Sequence, residues 1–162
     1  MALDALLPDV LRSLLSELID GPPPDWAFIL NPGDPGFMRS LAKVSAEQAS
    51  LRPNGRSSVA AHTQHLRYGF ELLNRWMRGE NPFADASYAR SWGTQAVTEE
   101  EWAALREALA HEAHAWRAAL EAKRDWDQTT LSGAISSIAH LAYHIGAVRQ
   151  LLPETAGPAA SD

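Results

Sequence analysis

The chain has 162 residues, which suits one domain with a core of its own, and its balance of 46% hydrophobic against 21% charged residues argues against both wholesale disorder and a set of membrane spans. Fourteen Lys and Arg against 20 Asp and Glu leave a formal charge of -6 with no basic stripe, so nucleic acid is a poor partner. The absence of cysteine rules out a disulfide framework and suits a reducing cytoplasm; any sulfur chemistry must take its thiol from a small molecule.

In chain order, the first expected helix covers residues 3 to 19. Leu6, Leu7, Leu11, Leu14, Leu15 and Leu18 recur there at helical spacing, while Asp4, Asp9, Arg12 and Glu17 interrupt the run and no basic segment precedes it. That pattern reads as an amphipathic helix and not as a signal peptide. Asp20, Gly21 and the prolines Pro22, Pro23 and Pro24 stop it. The next loop carries Trp26, Phe28, Ile29 and Leu30, which are expected to pack back on the body. Asp34 and Pro35 then open a short extra helix reaching residue 44, and Ser45 marks a further turn.

Pro53, Asn54 and Gly55 break the chain before Ser57 or Ser58 caps the second long helix, which ends at Arg78 and Gly79. The connection from 80 to 97 is long for a helical domain and holds Pro82, Phe83, Tyr88 and Trp92, the composition of a lid. Thr98 and Glu101 form a capping box. Trp102, Leu105, Leu109, Trp116 and Leu120 carry the third long helix on toward Lys123. The last helix is expected from Thr129 or Thr130 to Leu152, with Ile135, Ile138, Ala142 and Ile145 as its buried stripe and Pro153 as its end. Four long helices without any alternating strand pattern predict an all-α fold, a four-helix bundle forming one domain over 1–153, with a disordered tail over 154–162.

Chemistry must be sought among the six histidines, since no phosphate loop or nucleophile elbow is present. His140 and His144 are four apart, so both imidazoles leave the last helix on one face at successive turns. His65 shares a face with Gly69, Leu72 and Trp76, whereas His62 lines up with Leu66, Leu73 and Met77 in a stripe typical of core. His65 is therefore the expected third ligand, and His62 a partly buried supporting residue. His111 and His114 lie off the apolar stripe of their helix and read as solvated. Three neutral imidazoles with open positions suit zinc, nickel, copper or iron.

The segment Ser57-Ser58-Val59-Ala60-Ala61-His62-Thr63-Gln64-His65-Leu66, with Ile138-Ala139-His140-Leu141-Ala142-Tyr143-His144-Ile145-Gly146 far downstream, resembles the DinB-like superfamily over most of the chain. The resemblance implies a four-helix bundle with metal ligands at His65, His140 and His144, zinc or nickel foremost. It also implies a bacterial, metal-dependent transferase joining a low-molecular-weight thiol, such as bacillithiol, mycothiol or glutathione, to an electrophile. Ile145, Gly146 and Ala147 stand where members often carry Arg, Gly and Gln, so the polar contacts of the family beyond the metal do not transfer. Tyr68 and Tyr143 are candidate catalytic hydroxyls, and Arg67 and Arg75 candidate contacts for the carboxylates of a thiol. Other expectations are a homodimer paired through a helix face, no membrane partner, and, as the alternative function, a non-catalytic metal-binding stress-response or interaction protein.

Overall fold

A computed structural model describes residues 3–123 and 125–158, and in them every regular element is helical. Seven α-helices occur in the order α1 (Leu3–Asp20), α2 (Gly36–Leu41), α3 (Ala46–Ala49), α4 (Val59–Met77), α5 (Tyr88–Ser91), α6 (Glu99–Ala122) and α7 (Gln128–Leu151). The long helices set the packing: α6 lies against both α1 and α4, and α7 packs against the same two.

Apolar residues at helical spacing explain why these helices meet. In α1, Leu11, Leu15, Leu18 and Ile19 are buried; in α6, Trp102, Leu105, Leu109, Ala113, Trp116 and Leu120 make one continuous stripe. Both buried indoles also satisfy their N–H groups, as such groups must in a dry core. Trp102 Nε1 donates to the Val44 carbonyl at 2.7 Å, and Trp116 Nε1 donates to Ser137 Oγ on α7 at 2.8 Å. Truncating either tryptophan to alanine is expected to cost about 3–5 kcal/mol.

The helix starts follow local chemistry. Ser58 caps α4 by accepting from Ala61 N, and the Thr98–Glu101 capping box starts α6 with both of its hydrogen bonds formed. Ser45 and Gln48 make a second capping box on α3. The start of α7 differs slightly from expectation: Asp127 is the cap, accepting from Thr130 N at 2.7 Å, so the helix begins at Gln128. The entry to α2 depends on glycine. Gly21 and Gly36 have φ of +96° and +77°, and a Cβ on Gly36 would stand 2.2 Å from Gly21 N, so only two glycines let these strands of backbone cross.

Three expectations need correction. Ile135 does not belong to the buried stripe of α7; it is 54% exposed, and Ala134, Ile138, Leu141, Ile145 and Val148 fill the core instead. The apolar loop after α1 does not fold inward: Phe28 is 73% exposed and Trp26 and Ile29 are exposed as well, with only Leu30 packed on the core. The reason is Glu17, whose buried carboxylate accepts from the backbone N–H groups of Phe28, Ile29 and Leu30 at 2.6–3.1 Å. Anchoring the loop by its backbone turns its side chains outward, where Trp26 and Phe28 pair edge to face. The tail is also folded as far as Pro158. Pro153–Thr155 forms a 3₁₀ turn with Thr155 buried, and Asn31 Nδ2 donates to the Pro158 carbonyl at 2.8 Å. Residues 159–162 lie outside the described residues.

α7 is also long and apolar enough, by length and composition alone, to cross a bilayer. In this fold its apolar face is packed against the other long helices.

Candidate metal centre

Two helices and one connecting segment build the histidine cluster. α4 presents His62 and His65, α7 presents His140 and His144 one turn apart, and the contact between α4 and α7 brings the two sets together. His140 Nε2 lies 3.3 Å from His65 Nε2 and 2.8 Å from His144 Nε2. The donor atoms offered by the three residues all fall within 4.8 Å of one another, and among the described residues they form the group of His, Cys, Asp or Glu side chains placed to share one ion. Metal–nitrogen bonds of about 2.0–2.1 Å require donor separations of about 3.4 Å on a tetrahedron and about 2.9 Å on an octahedron. The separations of 2.8 and 3.3 Å lie close to those values, so His140 is placed to share one ion with His65 and with His144.

The surroundings fix which nitrogen faces inward. Ser91 Oγ donates its single proton to the Tyr88 carbonyl at 2.6 Å, so at 2.7 Å from His65 Nδ1 it acts as acceptor. His65 therefore carries its proton on Nδ1 and keeps a lone pair on Nε2, the tautomer a metal ligand needs. Trp92 stacks on the same ring at 4.2 Å between centroids and 20° between planes. On the far side, His62 Nδ1 sits 2.8 Å from His144 Nδ1. Ligation through His144 Nε2 places a proton on His144 Nδ1, donated to His62 Nδ1 as acceptor.

Burial and mutual repulsion keep the cluster uncharged. Desolvation lowers the pKa of His144 to about 3, with further lowering from the neighbouring His140, His62 and His65. His65 is lowered to about 4 by the same cause, helped by His140 and His62, and burial also lowers His62 and His140. At neutral pH all four rings are thus free bases with lone pairs to give. His144, His65 and His62 are buried while His140 is exposed, so the cluster is closed on one side and open to ligands at His140.

The other sequence candidates do different work. The Tyr68 hydroxyl accepts from Ser87 N at 2.9 Å and so pins the covering segment to α4. Tyr143 is 70% exposed, its ring edge-on to His144 at 5.1 Å. Arg67 is bound to Gln64 and Glu71, and Arg75 to Glu80. His111 lies exposed beside Glu112, and His114 faces Asp20 at 3.2 Å, a partner that the helical wheel does not reveal. Ser91 is the contributor that sequence reasoning missed, and Trp92, expected only as part of a cover, is the residue that stacks on His65. The aromatics of 80–97 signalled a cover, but nothing local marks a serine that will orient a histidine 26 positions earlier. The same segment is tied down at its far end, where Gln95 Oε1 accepts from Ser58 N at 3.0 Å.

Compared with protein-family models, curated proteins and solved structures, the chain matches none.

Proposed function

We propose that this protein binds one divalent metal ion through His65, His140 and His144 and acts as a metal-dependent transferase that joins a small thiol to an electrophile. The convergence of three neutral imidazoles, with the His65 tautomer set by Ser91, carries the reading. The ring of four long helices is then the four-helix bundle of the DinB-like superfamily, which the chain resembles in both histidine segments. Zinc or nickel suits three imidazoles with open positions. A divalent ion held there supplies Lewis acidity that favours the deprotonated form of a thiol.

The protein's own residues divide the remaining work. His62 and Ser91 orient two of the ligands, Trp92 shields His65 from water, and the exposed edge at His140 admits substrates. In the transfer, the sulfur forms a bond to the electrophilic carbon, the leaving group departs with its bonding electron pair, and the proton of the thiol passes to solvent.

A second reading, a metal-binding protein without turnover, draws support from one observation. The imidazoles at the site are all placed as ligands or, in the case of His62, hydrogen-bonded to one, which leaves none free to move a proton. Elemental analysis of untagged protein tests both readings. About one ion per chain in the wild type, lost in each of His65→Ala, His140→Ala and His144→Ala, supports the site; no ion after incubation with zinc or nickel refutes it. Thiol consumption with monochlorobimane, run with bacillithiol, mycothiol and glutathione in turn, then separates the readings: turnover dependent on the bound ion supports the transferase, and a loaded but inactive protein supports the second.

A further inference from the structure

Next to His140, α4, α7 and the 80–97 segment line an open-sided cavity of about 260 Å³. Leu66, Phe70 and Leu73 form its α4 wall, and Phe83 and Tyr88 reach over it from the covering segment. Its polar groups are few. Ser137 lines it, but its hydroxyl proton is already donated to the Ala134 carbonyl at 2.7 Å and one lone pair accepts from Trp116 Nε1 at 2.8 Å, so it has no donor left for a ligand. Ser136 and Tyr88 are exposed and therefore sit at the rim. The surface left to a bound molecule is apolar and aromatic, with His140 at one end.

Gly69 also lines this cavity, one turn beyond His65 in the interior of α4. A glycine there weakens the helix relative to alanine. Close packing does not require it, because a Cβ at Gly69 would meet nothing within 4 Å. Gly133, across the cavity, differs, since a Cβ there would press on the Trp76 ring at 3.2 Å. What glycine provides at 69 is open space.

We infer that this cavity seats a compact, uncharged aromatic group of a small molecule, and that the missing side chain at Gly69 sets the size admitted. Walls made mostly of apolar and aromatic side chains, with free hydroxyls only at the rim, favour such a group over a charged one, whose desolvation little in the cavity offsets. Its identification as the apolar part of the electrophile rests on the transferase reading above; occupation of the cavity itself requires no metal.

The test uses the full-length, metal-free chain and toluene as the probe, followed by saturation-transfer NMR. Toluene is expected to bind the wild type and to bind Gly69→Leu at least about tenfold more weakly, since burial of most of a ring's apolar area is lost. Gly69→Leu is expected to melt at or above the wild-type temperature because the glycine leaves the helix. Gly69→Met, unbranched and a good helix former, carries the same comparison if the leucine variant does not fold. Absence of toluene binding to the wild type, or equal binding by a folded Gly69 variant, overturns the inference. Toluene binding that depends on Gly69, in a protein that takes up no zinc or nickel, upholds the cavity and strikes the transferase reading alone.

Discussion

Replacing Ser91 with alanine probes the metal centre without touching a ligand. The hydroxyl is 3% exposed, receives the His65 Nδ1 proton at 2.7 Å and passes its own to Tyr88 at 2.6 Å. Alanine leaves His65 two choices. Keeping the proton on Nδ1 strands a buried donor, at a cost of about 1–3 kcal/mol. Moving it to Nε2 occupies the lone pair that faces the ion. Either way zinc affinity is expected to fall about 10–100-fold, the usual penalty for removing the partner of a ligating imidazole, or about 1.4–2.8 kcal/mol. Competition against a chelating dye of known affinity measures this, and melting of the metal-free variant reports the part that is simple destabilisation. Zinc affinity equal to wild type in a folded Ser91→Ala protein would refute the assignment of the His65 tautomer and, with it, the orientation of the cluster.

Acid should weaken the metal-free protein through the same histidines. His65 and His144 have folded pKa values of about 4 and about 3 against 6.5 when unfolded. The unfolded chain therefore binds more protons below pH 6.5; stability is full above that pH and declines as pH falls through the folded values, by at most about 1.4 kcal/mol per pH unit for each ring. Melts in chelator at pH 7 and pH 5 check the slope, and a flat profile would contradict it. Glu17→Ala removes the acceptor of three loop N–H groups and is expected to cost about 3 kcal/mol in urea unfolding. Arg149→Ala leaves Asp34, whose side chain is 1% exposed, without its cation. It should cost about 3 kcal/mol in the same assay, and more than Arg78→Ala, whose pairing with Glu80 is solvent-exposed.

The corrected elements show where periodicity stops being informative. Spacing places Ile135 on an apolar stripe of α7, yet a stripe has edges, and which edge faces a neighbour depends on how that neighbour is rotated. Composition suggests that Trp26, Phe28 and Ile29 seek the core; a single buried carboxylate, Glu17, holds the backbone of Phe28, Ile29 and Leu30 11–13 positions on and keeps the loop's aromatic side chains outward. The caps of α3, α4 and α6 carried over, because a cap is decided within four residues of chain, whereas α2 starts at Pro35 without a side-chain cap and α7 is capped by Asp127.

By itself the sequence determined the all-helical fold, the stops at Gly21 and Gly79, a cap at Ser57 or Ser58 and another at Thr98, and the pairing of His140 with His144 on one helix face. All of these depend on neighbours within a turn or two, where helix geometry leaves little choice. Only the tertiary structure decided that His65 meets that pair, that His62 backs His144, that Ser91 and Trp92 close over His65, and that an apolar cavity opens at Gly69. Those contacts join residues 26 to 82 positions apart. They are set by the docking of α4 on α7 and by the path of the segment that crosses them, neither of which any local pattern encodes.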